Sequence, residues 1–152
     1  MRISFLRSIF AMAGLGLILT ASAYAQAPAG RYTTSGATVY DKKTNLTWQR
    51  TLPTTQYSWA DAKTYCGSAA VSTILGGTGR LPTVKELSTI VDYWQSPGPA
   101  VDATAFPSTP TGVFWSSSPL AGSASSAWGI NFTFGNAATE SVSLVFNVRC
   151  VR

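Results

Sequence analysis

The sequence predicts a single compact α+β domain with two helices packed on antiparallel β-structure and with long irregular loops. Three observations predict this class. Apolar residues recur at helical spacing over 59–70 and 83–94, and they alternate with polar residues before and after these segments. Residues 96–127 are so rich in Ser, Thr, Pro, Gly and Ala that we expect irregular loop there. A chain of 152 residues is long enough to enclose one core.

The first 25 residues have the pattern of a secretory signal peptide. Arg2 and Arg7 precede an apolar run over 9–19 that is too short to span a bilayer, and the small-x-small sequence AYA ends at Ala25. We therefore expect cleavage after Ala25, and a periplasmic, secreted or cell-surface protein without a membrane span. The alternative is an uncleaved anchor. A flexible leader is expected over 26–31 and the domain over 32–152.

The first predicted β-structure is a hairpin over residues 37–49. Two short apolar segments flank a polar turn over 41–45, and Trp48 is interpreted as a core anchor. The first helix begins after Ser58, which we expect to cap it together with Asp61. Its apolar face directs Cys66 toward the core.

The second helix is predicted from a capping box. Thr83 is followed three residues later by Glu86, and Leu87 begins an apolar face that continues through Ile90, Val91 and Trp94. Just before the helix, Arg80 is expected either to pair with Glu86 or Asp92 or to bind an anionic ligand. Arg149 is likewise expected either to be a buried guanidinium held by a carboxylate or by loop carbonyls, or to bind an anionic ligand.

The irregular stretch over 96–127 is the expected place for a recognition surface. Phe106 and the apolar residues 113–115 supply anchors that would hold it on the core, and long ordered loops commonly carry binding function. Trp115 lies in this stretch and could stack on a sugar ring if exposed. A last hairpin is predicted with strands over 128–134 and 142–150.

Two cysteines, Cys66 and Cys150, are expected to form a disulfide, because an exported protein meets an oxidising compartment. The chain contains no His, so zinc sites and Cys–His catalysis lack their partners. The six carboxylates suggest no acid–base pair, so we expect no enzyme and no catalytic residue. No cofactor or metal is predicted either, although a Ca²⁺ site from Asp92, Asp102 and loop carbonyls stays open.

The net charge of +5 includes no basic run beyond Lys42-Lys43, so no nucleic-acid partner is expected. The excess is either ordinary solubility charge or a sign of anionic surfaces and polysaccharides. The candidate binding residues are Arg80, Tyr93, Trp115 and Asn131.

Six separated segments together resemble the DUF1566 family, the domain at the C-terminus of the Legionella collagen-like adhesin (Lcl C-terminal domain). The segments are VYDKKTNLTWQ at 39–49, WADA at 59–62 with YC at 65–66, GRLPTVKEL at 79–87, FWSSS at 114–118, AW at 127–128 with NF at 131–132, and VRCVR at 148–152.

The resemblance implies a fold related to C-type lectin-like and formylglycine-generating-enzyme folds, together with a surface role that includes polysaccharide binding and trimerisation. Three departures limit what it implies. There is no collagen-like repeat, Thr78-Gly79 replaces the usual Asp-Trp, and the lectin sugar-and-calcium motifs are absent. We therefore expect an exported non-enzymatic binding domain for anionic polysaccharide, cell-surface glycans or a cell-surface protein. An oligomer is compatible with the sequence, but no sequence feature supports one. The alternative is a structural or accessory subunit of a cell-envelope assembly.

Overall fold

A computed structural model describes residues 27–152 of the chain, so the predicted signal peptide lies outside the described residues. The elements form, in order, a three-stranded sheet, three α-helices, a 3₁₀ turn and a second three-stranded sheet. Both sheets are antiparallel, which confirms the α+β class. The relation to lectin-like folds stays a prediction. Within residues 27–152, no helix is long and apolar enough to cross a membrane.

The first sheet has the order β1-β2-β3, with β1 at Tyr32–Ser35, β2 at Thr38–Asp41 and β3 at Leu46–Gln49. The predicted hairpin is β2–β3, in which Val39 faces Trp48, and both side chains are fully buried. Strand β1 was not predicted, because its four residues are mostly exposed and show no apolar alternation.

Three helices replace the two that were predicted. The first apolar segment divides at Gly67 into α1 (Trp59–Cys66) and α2 (Ala69–Leu75). Ser58 caps α1 as expected, and Ser68 starts α2 because its side chain accepts a hydrogen bond from the Val71 amide.

The third helix, α3, spans only Val84–Ser88, although its Thr83–Glu86 capping box is confirmed. Beyond it, Val91 pairs with Val101, and Asp92 caps a 3₁₀ turn at Tyr93–Gln95 by accepting the Trp94 amide. This change of direction buries Leu87 and Ile90 but leaves Trp94 47% exposed. The predicted apolar face therefore ends before Trp94.

The second sheet contains β4 (Val113–Pro119), β5 (Ser126–Asn131) and β6 (Asn136–Ser141) in that order. The stretch over 96–127 is mostly irregular as expected, but it contains the strand β4, which was not expected. The strand predicted over 142–150 was wrong, because β5 pairs with 136–141 instead. The reason is a tight turn in which the Gly135 amide donates to the Asn131 carbonyl and Gly135 takes a φ of 78°.

The C-terminal segment joins the two sheets. Val151 forms an isolated bridge with Trp48 of β3, and Asn147 forms one with Phe114 of β4. Further bridges pair Val151 with Arg80 and Phe146 with Tyr57. Cys150 is bonded to Cys66 of α1 across 84 residues of sequence, which confirms the predicted disulfide. One core cluster surrounds Trp48 and Phe114, and a second surrounds the disulfide.

Candidate functional site

The structure places Arg80 in an ion pair with Glu86. The guanidinium donates two hydrogen bonds, of 2.8 and 2.6 Å, to the two carboxylate oxygens. Of the predicted alternatives for Arg80, the structure therefore shows the pairing with Glu86. These bonds, with further donors from Thr83, lower the pKa of Glu86 to about 2. The same pairing raises the pKa of Arg80, since the bonds stabilise its charged form. The pair fastens the turn before α3 to the helix.

Trp115 is fully buried, and the expectation that its ring could stack on a ligand is corrected. It lies in β4, where its Nε1 donates to the Tyr57 carbonyl at 2.9 Å and its ring meets Phe146 edge-on. The burial follows from the strand, because β4 packs against α1 and the disulfide cluster. Trp115 is a core residue.

The other two predicted residues, Tyr93 and Asn131, meet at one turn. The Tyr93 hydroxyl donates to the Gly135 carbonyl at 3.1 Å, and the Asn131 carbonyl accepts the Gly135 amide at 2.7 Å. The Asn131 side chain accepts the Thr133 amide within the same turn. The structure therefore brings these two together, while Arg80 and Trp115 lie elsewhere.

Asp92 and Asp102, the two candidates for a Ca²⁺ site, both use their carboxylates to accept hydrogen bonds from backbone amides. Asp92 is buried and accepts the amides of Ala27 and Trp94, and Asp102 accepts the amides of Thr104 and Ala105. Over residues 27–152, no group of three or more His, Cys, Asp or Glu side chains could hold a metal ion.

A groove of about 820 Å³ lies between three loops, at residues 50–56, 107–110 and 145–147. We call it the basic groove. Its polar lining consists of one guanidinium, two amides and several hydroxyls, and no carboxylate is among the described residues that line it; the residues concerned include Arg50, Thr54, Gln56, Ser108 and Asn147. The side chains can donate hydrogen bonds and carry positive charge, which suits a polar or anionic ligand.

Local geometry holds the walls of the basic groove. The Arg50 guanidinium donates to the carbonyls of Ala105 and Thr104 at 3.2 and 3.3 Å, which joins the first loop to the chain before the second. Ser108 adopts a φ of 54°, a left-handed conformation that a side chain other than glycine rarely takes. Such strain persists only where the surroundings hold it, and it is common at binding sites.

A second cation lies behind the wall of the groove. Arg149 is only 1% exposed, and it donates to the Gln49 carbonyl at 2.7 Å and to the Arg50 carbonyl at 3.2 Å. It also donates to the Thr109 hydroxyl at 2.7 Å and lies over the Phe106 ring. These contacts agree with the prediction that backbone carbonyls hold the Arg149 guanidinium in place.

No carboxylate pairs with Arg149 in the described part of the chain, where the ion pairs are Arg31–Asp41 and Arg80–Glu86. Burial lowers the pKa of Arg149 to about 9, so the group stays charged at neutral pH. Its positive charge therefore adds to that of Arg50 beside the groove, and low-dielectric surroundings screen it less than water would.

Sequence reasoning missed the basic groove. Arg50, Gln56 and Asn147 belong to loops far apart in the chain, so no local pattern connects them. The available signal was weak: an arginine followed by a Thr- and Pro-rich loop, RTLPTTQ at 50–56.

Fold and groove together define a disulfide-closed α+β domain with a loop-built binding surface. The family model described as Lcl C-terminal domain matches residues 37–152, so the chain belongs to the Lcl C-terminal domain family. This confirms the family resemblance, and membership suggests an extracellular adhesion-type domain. The disulfide fits an oxidising compartment outside the cytoplasm. No curated protein matches the chain.

Proposed function

We propose that this protein is an extracellular, non-enzymatic binding domain whose basic groove takes a segment of an anionic polysaccharide. One observation carries the proposal: the groove is lined by Arg50 and neutral donors, is backed by the buried Arg149, and has no carboxylate among its described lining residues. Sulfate and carboxylate groups on a polysaccharide would meet two positive charges without a competing negative one.

The size and lining of the groove support a short oligosaccharide segment. A volume of about 820 Å³ lies within the usual range for small-molecule sites. The amides of Gln56 and Asn147, whose Nε2 and Oδ1 atoms lie 3.5 Å apart, form one wall. Pro53, Pro107 and Pro110 restrict the loops, so little conformational entropy is lost when a ligand binds.

The same lining supports a binding role over a catalytic one. A general acid or base must exchange a proton near neutral pH, and the charged residue that lines the groove is an arginine, which keeps its proton. The hydroxyls of Thr54 and Ser108 would need an adjacent base to act as nucleophiles. The described lining offers them none.

The proposal is tested by the affinity of the disulfide-bonded protein for heparin and dextran sulfate. We expect retention on both columns at about 50 mM NaCl and release as salt screens the charges. The Arg50→Gln variant should bind both polysaccharides about 5- to 20-fold more weakly, because it loses one charge-assisted contact. Its matched control is Lys85→Gln, which removes the same charge from the exposed surface of α3, outside the groove.

Two results would contradict the anionic-ligand proposal. The first is flow-through of the folded wild-type protein at low salt. The second is an equal loss of affinity in both variants, which would assign the binding to net charge instead of the groove.

A second candidate, a subunit of a cell-envelope assembly, is favoured by two consecutive exposed aliphatic residues. Leu144 and Val145 are about half exposed in the loop after β6. Exposed apolar patches commonly mark protein interfaces. Under this alternative, the wild-type protein should form a stable complex in envelope extracts, and Leu144→Ser, at a residue outside the groove lining, should weaken it. A monomer that captures no partner would count against it.

A further inference from the structure

A second cavity adjoins the basic groove, and we call it the tyrosine cavity. It has a volume of about 490 Å³ and is lined by residues 55–58, by the exposed side of α1, by Ser68 and by Val145. Gln56 and Val145 line both this cavity and the basic groove. The two spaces therefore share a wall, and a chain that lies in one can continue into the other.

The shared wall is held by backbone pairing. Tyr57 and Phe146 form an isolated antiparallel bridge with two hydrogen bonds, of 2.9 and 3.0 Å. Because side chains alternate along paired strands, Gln56 and Val145 lie on one face of this bridge, while the Phe146 ring lies on the other and meets Trp115 in the core. The wall is thus in place before a ligand binds, which reduces the entropy lost on binding.

The tyrosine cavity carries a charge opposite to that of the basic groove. Asp61 is the one charged residue among the described residues that line it, and its exposed carboxylate accepts the Ser58 hydroxyl at 2.7 Å. Lys63, the one cation of α1, lies with its Nζ 3.5 Å from the centre of the Trp59 ring and lines another cavity. A sulfate or carboxylate group in the tyrosine cavity would therefore meet a like charge.

The polar groups of the cavity suit the hydroxyls of an uncharged sugar. The Asp61 carboxylate can accept hydrogen bonds from hydroxyl groups, and the Gln56 amide can both donate and accept them. The Ser68 hydroxyl accepts the Val71 amide at the start of α2, which leaves its own proton available to donate.

Two tyrosines give the cavity a fixed apolar side. The rings of Tyr57 and Tyr65 stack with their centroids 4.8 Å apart, and Gln49 Nε2 donates to the Tyr65 hydroxyl at 2.9 Å. Together with Val145, the tyrosines can contact the C–H groups of a sugar ring. The lining therefore matches the mixed polar and apolar surface of an uncharged sugar unit.

We propose that the tyrosine cavity binds an uncharged sugar unit of the same polysaccharide chain whose anionic unit lies in the basic groove. This inference rests on the proposed function and adds a selectivity to it: the domain prefers chains in which charged units are separated by uncharged ones. A chain with an anionic group on every unit would place one of these groups beside Asp61.

The test compares two dextran sulfates of equal length, titrated into the disulfide-bonded protein by calorimetry. The sparse chain carries about one sulfate per two glucose units and the dense chain about two per unit, and both are measured at about 150 mM NaCl. We expect the sparse chain to bind at least about threefold more tightly, although attraction by net charge alone would favour the dense chain.

The Asp61→Asn variant removes the carboxylate but keeps an oxygen that can accept the Ser58 hydroxyl. It should bind the dense chain about 3- to 10-fold more tightly, while its affinity for the sparse chain changes less than about twofold. The matched control is Glu140→Gln, which removes the same charge from β6, outside the groove and the cavity. It should leave the preference for the sparse chain unchanged.

Three results would overturn the proposal, and they separate it from the proposed function. If the wild-type protein binds the dense chain as tightly as the sparse one or more tightly, the selectivity is wrong and the anionic function stands. The same holds if Asp61→Asn and Glu140→Gln change the preference equally. If neither chain binds, even at low salt, the proposed function fails together with this inference.

Discussion

The basic groove and the tyrosine cavity use opposite physical means to bind neighbouring units of one ligand. The groove has Arg50 in its wall and Arg149 behind it, whereas the cavity has Asp61 in its wall and no Lys or Arg among its described lining residues. They are linked by a shared wall, because Gln56 and Val145 line both.

The difference shows how a small domain can separate two kinds of recognition. Charge–charge attraction acts over several ångströms and weakens with salt, whereas contacts with uncharged groups act only at short range and hardly respond to salt. Each surface should therefore be affected by its own set of mutations. The following changes are arranged by the size of their expected effect on the free energy of unfolding.

The largest effect should come from removing the disulfide, because both surfaces depend on it. Cys66–Cys150 closes a loop of 84 residues, and its loss should lower the free energy of unfolding by roughly 4 kcal/mol. Urea denaturation of wild type and the Cys66→Ala, Cys150→Ala double variant measures this. Binding of both dextran sulfates should be lost together as the fold weakens. A loss of under about 1 kcal/mol would show that the core alone sustains the domain.

The next effect should come from Arg149→Met, which is aimed at the groove side of the comparison. The change leaves the carbonyls of Gln49 and Arg50 without their donor, so we expect a loss of about 2–4 kcal/mol in urea denaturation. Among molecules that remain folded, the affinity for both dextran sulfates should fall while the preference for the sparse chain stays. Arg152→Met, at an exposed arginine, is the control and should change stability by less than about 0.5 kcal/mol.

A smaller effect is expected from Gly135→Ala, which lies outside both surfaces and tests whether lost stability alone changes binding. Gly135 and Gly122 have nearly equal φ angles of 78° and 79°, but an added Cβ meets other atoms within 4 Å only at Gly135. Both alanine variants should therefore lose about 1 kcal/mol from backbone strain, and Gly135→Ala should lose more. Neither change should alter the affinity for the two dextran sulfates, because Gly122 and Gly135 line neither the groove nor the cavity. Weaker binding by Gly135→Ala than by Gly122→Ala would show that stability, and not the two surfaces, sets the affinity.

The smallest effect should come from Glu86→Gln, which touches neither surface. Weakening the capping box should cost about 1 kcal/mol at pH 7 in urea denaturation. The pKa of Glu86 in the folded protein, about 2, lies below its ordinary value of 4.5. The contribution is therefore present above pH 4.5 and is lost as the pH falls toward 2, so the difference from wild type should shrink over that range. A constant difference down to pH 2 would be inconsistent with this role, and both dextran sulfates should still bind.

Local signals in the sequence predicted the scaffold well. The capping box of Thr83 and Glu86, the β2–β3 hairpin and the disulfide each depend on a few residues whose chemistry permits little else. The family followed from six such segments. Strand β1 escaped because exposed residues without alternation carry no periodic signal.

The binding surfaces were harder to predict because aromatic residues look alike in sequence. Trp94 continued a helical pattern and was expected inside, whereas Trp115 lay in a Ser- and Pro-rich stretch and was expected to be available to a ligand. The structure places both differently, because a 3₁₀ turn redirects the chain at Asp92 and leaves Trp94 47% exposed, while Trp115 lies in the buried first half of β4. The groove is formed by three loops that lie far apart in the chain, so none of them alone carries a sequence pattern that predicts the groove.

The most direct test of the account is the response of the two dextran sulfate affinities to one change in each surface, measured by calorimetry. The sparse and dense chains would be titrated into wild type, Arg50→Gln and Asp61→Asn at about 50, 100 and 200 mM NaCl, where screening changes most. We expect Arg50→Gln to weaken the binding of both chains and Asp61→Asn to strengthen that of the dense chain alone, with both effects shrinking as salt rises. A wild-type preference for the dense chain, or the same response to both variants, would contradict a groove and a cavity of opposite charge.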